Sequence, residues 1–261
     1  MFTKAIVRPP CASFAAGLTS VDLGTPGLEL VLQQHEAYCH TLEACGLSVI
    51  RLAPDERYPD STFVEDTAVL TGNGAVVARP GAASRLGETE AIERVLSQHF
   101  ERLRAIREPG TVDGGDVCEA GGHFFIGVSR RTNEAGAQQL AAFLEEFGYS
   151  STLIDIRNLS NILHLKSGLA YLGGNRMLVS DEVQNLNSFA GYELIHVRPE
   201  EAYAANCVLI NDRVLIASGF PELPRQLDQL NYETFVLDMS EFQKMDGGLS
   251  CLSLRFREEG F

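Results

Sequence analysis

Cys251 stands shortly after a Gly-Gly pair, in Lys244-Met245-Asp246-Gly247-Gly248-Leu249-Ser250-Cys251. Glycine lets backbone approach a ligand closely or take positive φ, so a thiol beside such a pair can be presented at a strand end. A thiol needs help to act as a nucleophile. A histidine near neutral pH can take its proton, protonate a leaving group and later activate water. His164, in Asn161-Ile162-Leu163-His164-Leu165-Lys166-Ser167-Gly168, is the candidate. A carboxylate that holds the imidazole in its useful tautomer would complete the group, and Asp113, in Thr111-Val112-Asp113-Gly114-Gly115-Asp116, is placed for it. Taken singly, each residue has a plainer reading: a core cysteine opening a strand, a satisfied core histidine, a solvated turn acid. A second group, Asp60, Glu65 and Asp66, crowds acids that repel one another unless a cation joins them. A guanidinium, with five N–H donors in a planar fork, fits that need. A metal would too, although no clear third or fourth ligand presents itself.

The chain of 261 residues is 45% hydrophobic, enough to bury a full core as one domain. Its formal charge of −14, with no run of Lys or Arg to offset it, argues against nucleic acid and membrane surfaces as partners. An acidic surface is common for solubility alone and hints only weakly at a cationic substrate. No stretch reaches the roughly 18 apolar residues of a membrane span, and residues 1–10 lack a signal-like apolar run, so a cytoplasmic location is expected. The cysteines at 11, 39, 45, 118, 207 and 251 form no CxxC pair and read as reduced thiols.

The elements that must position these residues repeat. Segments 66–79, 116–129, 168–180 and 206–218 each show an apolar run, a turn of Gly, Asn or Asp, and a second apolar run, the pattern of a hairpin. The runs are nearly continuous, which predicts strands buried on both faces. Helical stretches at 89–98, 133–147 and 221–230, and further apolar runs at 151–156, 193–197 and 234–237, complete a strand-strand-helix-strand unit. Its recurrence every 40 to 50 residues or so suggests propeller-like packing around an axis. Residues 249–256 lack a hairpin partner after them and residues 2–7 lack one before, so pairing the chain ends would close a fifth unit. An open sheet of stacked units is the alternative. Asp60 to Asp66, Asp113, His164 and Cys251 all fall at matching ends of repeats.

Those segments together resemble the guanidine-modifying (pentein) superfamily, and within it the dimethylarginine dimethylaminohydrolase (dimethylargininase) family. The likeness spans almost the whole chain. It rests on Leu18-Thr19-Ser20, Phe63-Val64-Glu65-Asp66, Arg79-Pro80-Gly81, Ser84-Arg85, Gly87-Glu88-Thr89, Asp113-Gly114-Gly115-Asp116, Arg131-Thr132-Asn133, Leu163-His164-Leu165-Lys166, Ala204-Ala205-Asn206-Cys207 and Asp246-Gly247-Gly248 before Cys251. The resemblance implies an α/β fold, a five-bladed pseudosymmetric propeller with one active site in its central channel. It implies that Cys251 attacks a guanidinium carbon, that His164 protonates the departing methylamine or dimethylamine, and that a covalent thiouronium is then hydrolysed to citrulline. Asp113 would orient His164. By the same resemblance Glu65 and Asp66 surround the guanidinium, Asp60 meets the substrate α-amino group, the carbonyls of Leu18 and Met245 make further contacts, and Arg85 and Arg131 clamp the α-carboxylate. The Leu18 loop would be a lid.

No cofactor and no resident metal are implied, although a thiol, an imidazole and carboxylates together could trap zinc or copper. A homodimer is left open. Three other readings stand beside this one. An arginine deiminase would use the same thiol chemistry and release ammonia, but the chain has no spare segment for the extra helical domain such enzymes usually carry. A non-catalytic arginine-binding module would not need Cys251 and His164 together, and a thiol acyl-hydrolase would not need the acidic cluster.

Overall fold

The computed structural model describes residues 1–159, 161–184 and 186–258. Its strands form five three-stranded sheets. In chain order the elements are β1 (Lys4–Val7), α1 (Leu28–Ala44), β2 (Ser48–Arg51), β3 (Ala68–Thr71), β4 (Gly74–Val77), α2 (Thr89–Leu96), β5 (Leu103–Ala105), β6 (Val117–Ala120), β7 (His123–Val128), α3 (Glu134–Glu146) and β8 (Ser150–Asp155). There follow β9 (Leu169–Tyr171), β10 (Arg176–Val179), β11 (Glu193–His196), β12 (Val208–Ile210), β13 (Arg213–Ala217), α4 (Glu222–Gln229), β14 (Glu233–Leu237), α5 (Ser240–Gln243) and β15 (Leu254–Phe256).

Four units run hairpin first. β3 pairs antiparallel with β4, which pairs parallel with β5, and the triplets beginning at β6, β9 and β12 repeat that order. The antiparallel step needs only a tight turn, such as Gly121-Gly122 with φ +62° and +86°, whereas the parallel step needs a crossover, supplied by α2, α3 and α4 in the units beginning at β3, β6 and β12. The fifth unit is shared between the chain ends: β15 lies antiparallel to β1, with Leu254 opposite Ile6, and β1 lies parallel to β2. The expected closure is therefore present. The inner hairpin strands are largely buried, whereas the third strands β2, β5, β8 and β14 are half-exposed outer edges, so burial on both faces holds for the hairpins and not for the crossover strands.

Two features depart from the sequence pattern. Helix α1 and strands β2 and β5 had no counterpart in it. Val31, Gln34, His35, Tyr38, Cys39, Thr41 and Leu42 are the buried residues of α1, but Gln34, His35 and Thr41 are polar while Leu28, Leu30 and Leu32 face out, which blurs the hydrophobic period. In the β9 unit the described residues between β10 and β11 hold one 3₁₀ turn, Asn187–Phe189, in place of a helix, and its Phe189 is fully buried in the core.

The core divides into five apolar clusters, one at each interface between neighbouring units. Val76 meets Phe124 and Leu140 at one, Phe125 meets Met177 and Phe189 at another, Leu178 meets Val214 and Leu223 at a third. Tyr38, Leu215 and Phe242 close the gap between the last unit and the first, and Ile6, Val77 and Phe256 the next. Truncating a fully buried side chain such as Leu140 or Ile6 to alanine costs about 2–5 kcal/mol. Loss of any one wedge would open the ring, because each unit is held only by its two neighbours.

Candidate active site

At one end of the axis, short 3₁₀ turns lead into the inner strands: Val64–Thr67 before β3, Gly114–Asp116 before β6, Leu165–Ser167 before β9 and Ser250–Leu252 before β15. These turns pack on one another and carry the reactive groups to one point. Cys251 therefore lies on a turn, and the strand expected from residue 249 begins only at Leu254.

The turns are stitched by side chains at the first position of each repeat. Asp66 Oδ1 accepts from Gly115 N at 2.9 Å, Asp116 Oδ1 from Leu165 N at 3.0 Å and Asn206 Oδ1 from Ser250 N at 2.9 Å. In the β9 unit that position is Gly168, which has no side chain to offer. Ser129 Oγ donates to Asp116 at 2.6 Å, whereas its counterpart Ser180 Oγ is buried without a partner among the described residues. Packing requires Gly115 itself: a Cβ there would lie 2.8 Å from the His164 ring and 2.9 Å from Asp66 Oδ1.

His164 Nε2 is 3.1 Å from Asp113 Oδ2, and the other Asp113 oxygen accepts from Gly81 N at 2.7 Å. Asp113 is fully buried, so its carboxylate is fixed by those two bonds and its own N–H donates to Thr132 Oγ1. Burial alone would lower the His164 pKa, but the charges of Asp66 and Asp116 and the bond to Asp113 outweigh it and raise the value to about 9. At neutral pH His164 is an imidazolium. Asp66 is held below the usual carboxylate range, against its burial, by the charges of His164 and Arg85. Asp116 is pushed up to about 6 by burial, partly offset by His164.

Cys251 is half-buried, and burial followed by the charges of Glu65 and Asp66 pushes its thiol up to about 12. No hydrogen bond joins its sulfur to His164 among the described residues. The resting pair is thus a neutral thiol beside an imidazolium.

A small pocket opens over this pair, lined by Leu18, Asp60, Phe63, Asp66, Arg85, Arg131, Leu163, His164, Met245, Asp246, Gly247 and Cys251. Its free volume is about 30 Å³, roughly one water's share of the liquid. The Leu18 loop closes it. Leu18 N donates to both Asp60 oxygens at 3.0 and 3.2 Å, Thr19 Oγ1 to the Lys244 carbonyl at 3.0 Å, and Ser20 N and Oγ to Asp246 Oδ2 at 2.5 and 2.9 Å. Burial raises the Asp60 pKa, opposed by the Arg85 charge.

Of the residues singled out in the sequence, Cys251, His164, Asp66, Asp60, Leu18, Met245, Arg85 and Arg131 line this pocket, and Asp113 stands behind His164. Glu65 does not. Its carboxylate turns away, to Lys166 Nζ at 2.6 Å, Arg255 Nη2 at 3.4 Å and Ser250 Oγ at 2.8 Å. The two arginines differ. Arg85 is buried and already bonded to Asp66 at 2.6 Å, to Glu88 through Nε and Nη2, and to the carbonyls of Asp60 and Phe63. Glu88 is pushed up to about 7 by burial even beside that guanidinium. Arg131 is half-buried, and its guanidinium has no hydrogen-bond or carboxylate partner among the described residues.

Asp116, Lys166, Glu88, Ser250 and Asn206 escaped the sequence reading as site residues. Asp116 had a signal, since it opens its repeat as Asp66 does. Asp66, Asp113 and His164 each offer a ligand atom within 4.8 Å of the others, a geometry that would suit a metal. All four carboxylate oxygens already accept hydrogen bonds, from Gly115, Arg85, Gly81 and His164, and the imidazole holds a proton to about pH 9. A metal would have to displace that network.

Comparison with known proteins adds three findings. The sequence model of the arginine deiminase family matches residues 56–206. The N(G),N(G)-dimethylarginine dimethylaminohydrolase of Pseudomonas aeruginosa is 44% identical over 257 residues, covering 98% of this chain and all of that one; the Streptomyces coelicolor protein of the same name is 36% identical, covering 98% and 97%. Among solved structures, a dimethylarginine dimethylaminohydrolase variant as an adduct with S-methyl-L-thiocitrulline superposes with a TM-score of 0.95 at 43% identity, and so does a variant of the P. aeruginosa protein complexed with citrulline; each match covers 98% of this chain and all of the other.

Proposed function

The chain belongs to the dimethylarginine dimethylaminohydrolase family of the guanidine-modifying superfamily, and from that premise we propose that it hydrolyses N-omega-methylated arginines to citrulline and dimethylamine or methylamine, with residues 1–261 acting as one catalytic unit. The observation that carries this reading is the geometry of the site: His164, held by Asp113, faces the same pocket as Cys251, beside Asp66 and Arg131, whose guanidinium is unpaired among the described residues.

Such a pair calls for a cationic substrate. When a guanidinium enters beside Asp66 and Cys251, its charge lowers the thiol pKa, and the released proton passes to water. The thiolate attacks the guanidinium carbon and forms the S–C bond. His164 gives its proton to the methylated nitrogen as the C–N bond breaks, and the amine departs. His164, now neutral, takes a proton from water, whose oxygen adds to the thiouronium carbon. The C–S bond then breaks as the added hydroxyl loses its proton to water, releasing citrulline and the thiolate. Asp113 keeps Nε2 of His164 oriented throughout.

Asp66 meets the guanidinium, Arg131 meets the α-carboxylate with a guanidinium free for it, and Asp60 takes the α-amino group when the lid releases its carboxylate, the carbonyls of Leu18 and Met245 completing the contacts. Arg85 serves chiefly to hold Asp66 and Glu88, with at most one Nη1 hydrogen left for substrate. Glu65 supports the Cys251 turn through Ser250. Among the described residues no helix is long and apolar enough to cross a membrane. We place the enzyme in the cytoplasm, acting on a free small molecule and not on nucleic acid, with a homodimer as its open assembly question and no cofactor in the chemistry. Citrulline release tests the reading, measured from asymmetric dimethylarginine and monomethylarginine with arginine and agmatine in parallel. Turnover of the methylated substrates is expected; turnover of arginine alone would move the assignment to a deiminase, and silence on all would leave a binding module.

A further inference from the structure

The five inner strands enclose a second cavity on the propeller axis, of about 570 Å³, which shares no lining residue with the pocket over Cys251. Each unit contributes an apolar wall residue: Leu70, Val117, Leu169, Leu209 and Leu254. Charge gathers at the end nearest the catalytic turns. There Lys166 Nζ lies 2.6 Å, and Arg255 Nη2 3.4 Å, from the same Glu65 oxygen, and the other oxygen accepts from Ser250. One carboxylate thus serves two cations, whose side chains keep 17% and 15% of their surface exposed and line the cavity. Among the described residues Lys166 Nζ has no other acceptor. In a chain of net charge −14, this floor of two cations and one carboxylate carries an unmatched positive charge, and Glu119 and Arg257, of opposite sign, also line the cavity.

We propose that the axial cavity is a binding site for an amphipathic monocarboxylate, its carboxylate on Lys166 and Arg255 and its apolar chain along the inner strands. A concave recess with low-dielectric walls focuses the field of the uncompensated cation, and one negative charge is what the floor can match. The volume falls within the range of roughly 300–1,000 Å³ typical of small-molecule sites. Every methylene drawn from water into the walls tightens binding by about fourfold. The proposal stands independently of the hydrolase reading, since the two cavities are separate.

Isothermal titration of the full chain with decanoate, hexanoate and decan-1-ol tests it, with and without saturating citrulline. Decanoate is expected to bind one to one, at least about tenfold tighter than hexanoate and than the alcohol, and unaffected by citrulline. The variants Leu209→Trp and Leu70→Trp, which fill the cavity from different strands, are each expected to abolish binding while circular dichroism and citrulline release stay intact; a variant that fails to fold is replaced by the other. Absence of decanoate binding, equal affinity for the alcohol, displacement by citrulline, or full binding in both folded variants would overturn the proposal.

Discussion

A cationic ligand in the pocket over Cys251 should ionise the thiol, and the effect can be sized. In the free protein the thiol pKa of about 12 leaves about one molecule in 10⁵ as thiolate at pH 7. A unit positive charge about 4 Å from the sulfur, at an effective dielectric near 20, contributes about 4 kcal/mol, or about three pKa units. Thiolate then rises about a thousandfold, to about one molecule in a hundred at pH 7. Ultraviolet thiolate absorbance, titrated against pH with and without a non-hydrolysable amidine analogue of arginine, reads this directly. The Cys251→Ser variant supplies the baseline, and the buried Cys39, Cys118 and Cys207, pushed to about 12, 11 and 12 by burial, contribute little near neutrality. A Cys251 thiol that titrates near or below the ordinary cysteine value without ligand, or one that the ligand does not move, would refute the reasoning.

Other consequences follow from the same network. Asp113→Asn keeps the shape but removes the charge that orients His164, and kcat should fall by about 10² to 10⁴ with the fold retained by circular dichroism. In the proposed reaction His164 is protonated when it expels the amine, so activity should decline as pH rises through about 9. Asp116→Asn keeps an acceptor for Leu165 N but removes one of the charges that raise the His164 pKa, and should move that alkaline limb down by about one pH unit; Asp116→Ala would instead orphan two donors and cost about 1–3 kcal/mol of stability in denaturant unfolding. Arg131→Met should raise KM by about tenfold to a hundredfold with little change in kcat, because the proposed α-carboxylate contact is the same in ground and transition states.

Much of this architecture was legible because its inner strands are short, apolar on both faces and joined by turns that only a few residue types make. Closure followed from counting unpaired ends, and Ile6 opposite Leu254 bears it out. What stayed hidden depends on direction and not on residue type. Successive residues of a 3₁₀ turn point different ways, so Asp66 faces the pocket while Glu65, its neighbour, faces Lys166 on the other side. Arg85 and Arg131 look alike in sequence, yet Glu88 lies three residues after Arg85 and claims it. Helix α1 was masked by polar residues buried on its inner face, among them His35, which burial holds down at about 4 and hence neutral. Asp116 was in view throughout, at the start of its repeat, and only the third dimension shows it behind His164.

In the proposed reaction Cys251 carries the substrate through a covalent thiouronium. The most direct test of this step is acid quenching of the protein with asymmetric dimethylarginine before the steady state, followed by intact mass and peptide mapping. The expected adduct has an added mass equal to the substrate less its dimethylamine, is located on Cys251 and is lost as citrulline forms. Citrulline formation at undiminished rate by Cys251→Ala, or an adduct that maps to another residue, would contradict it.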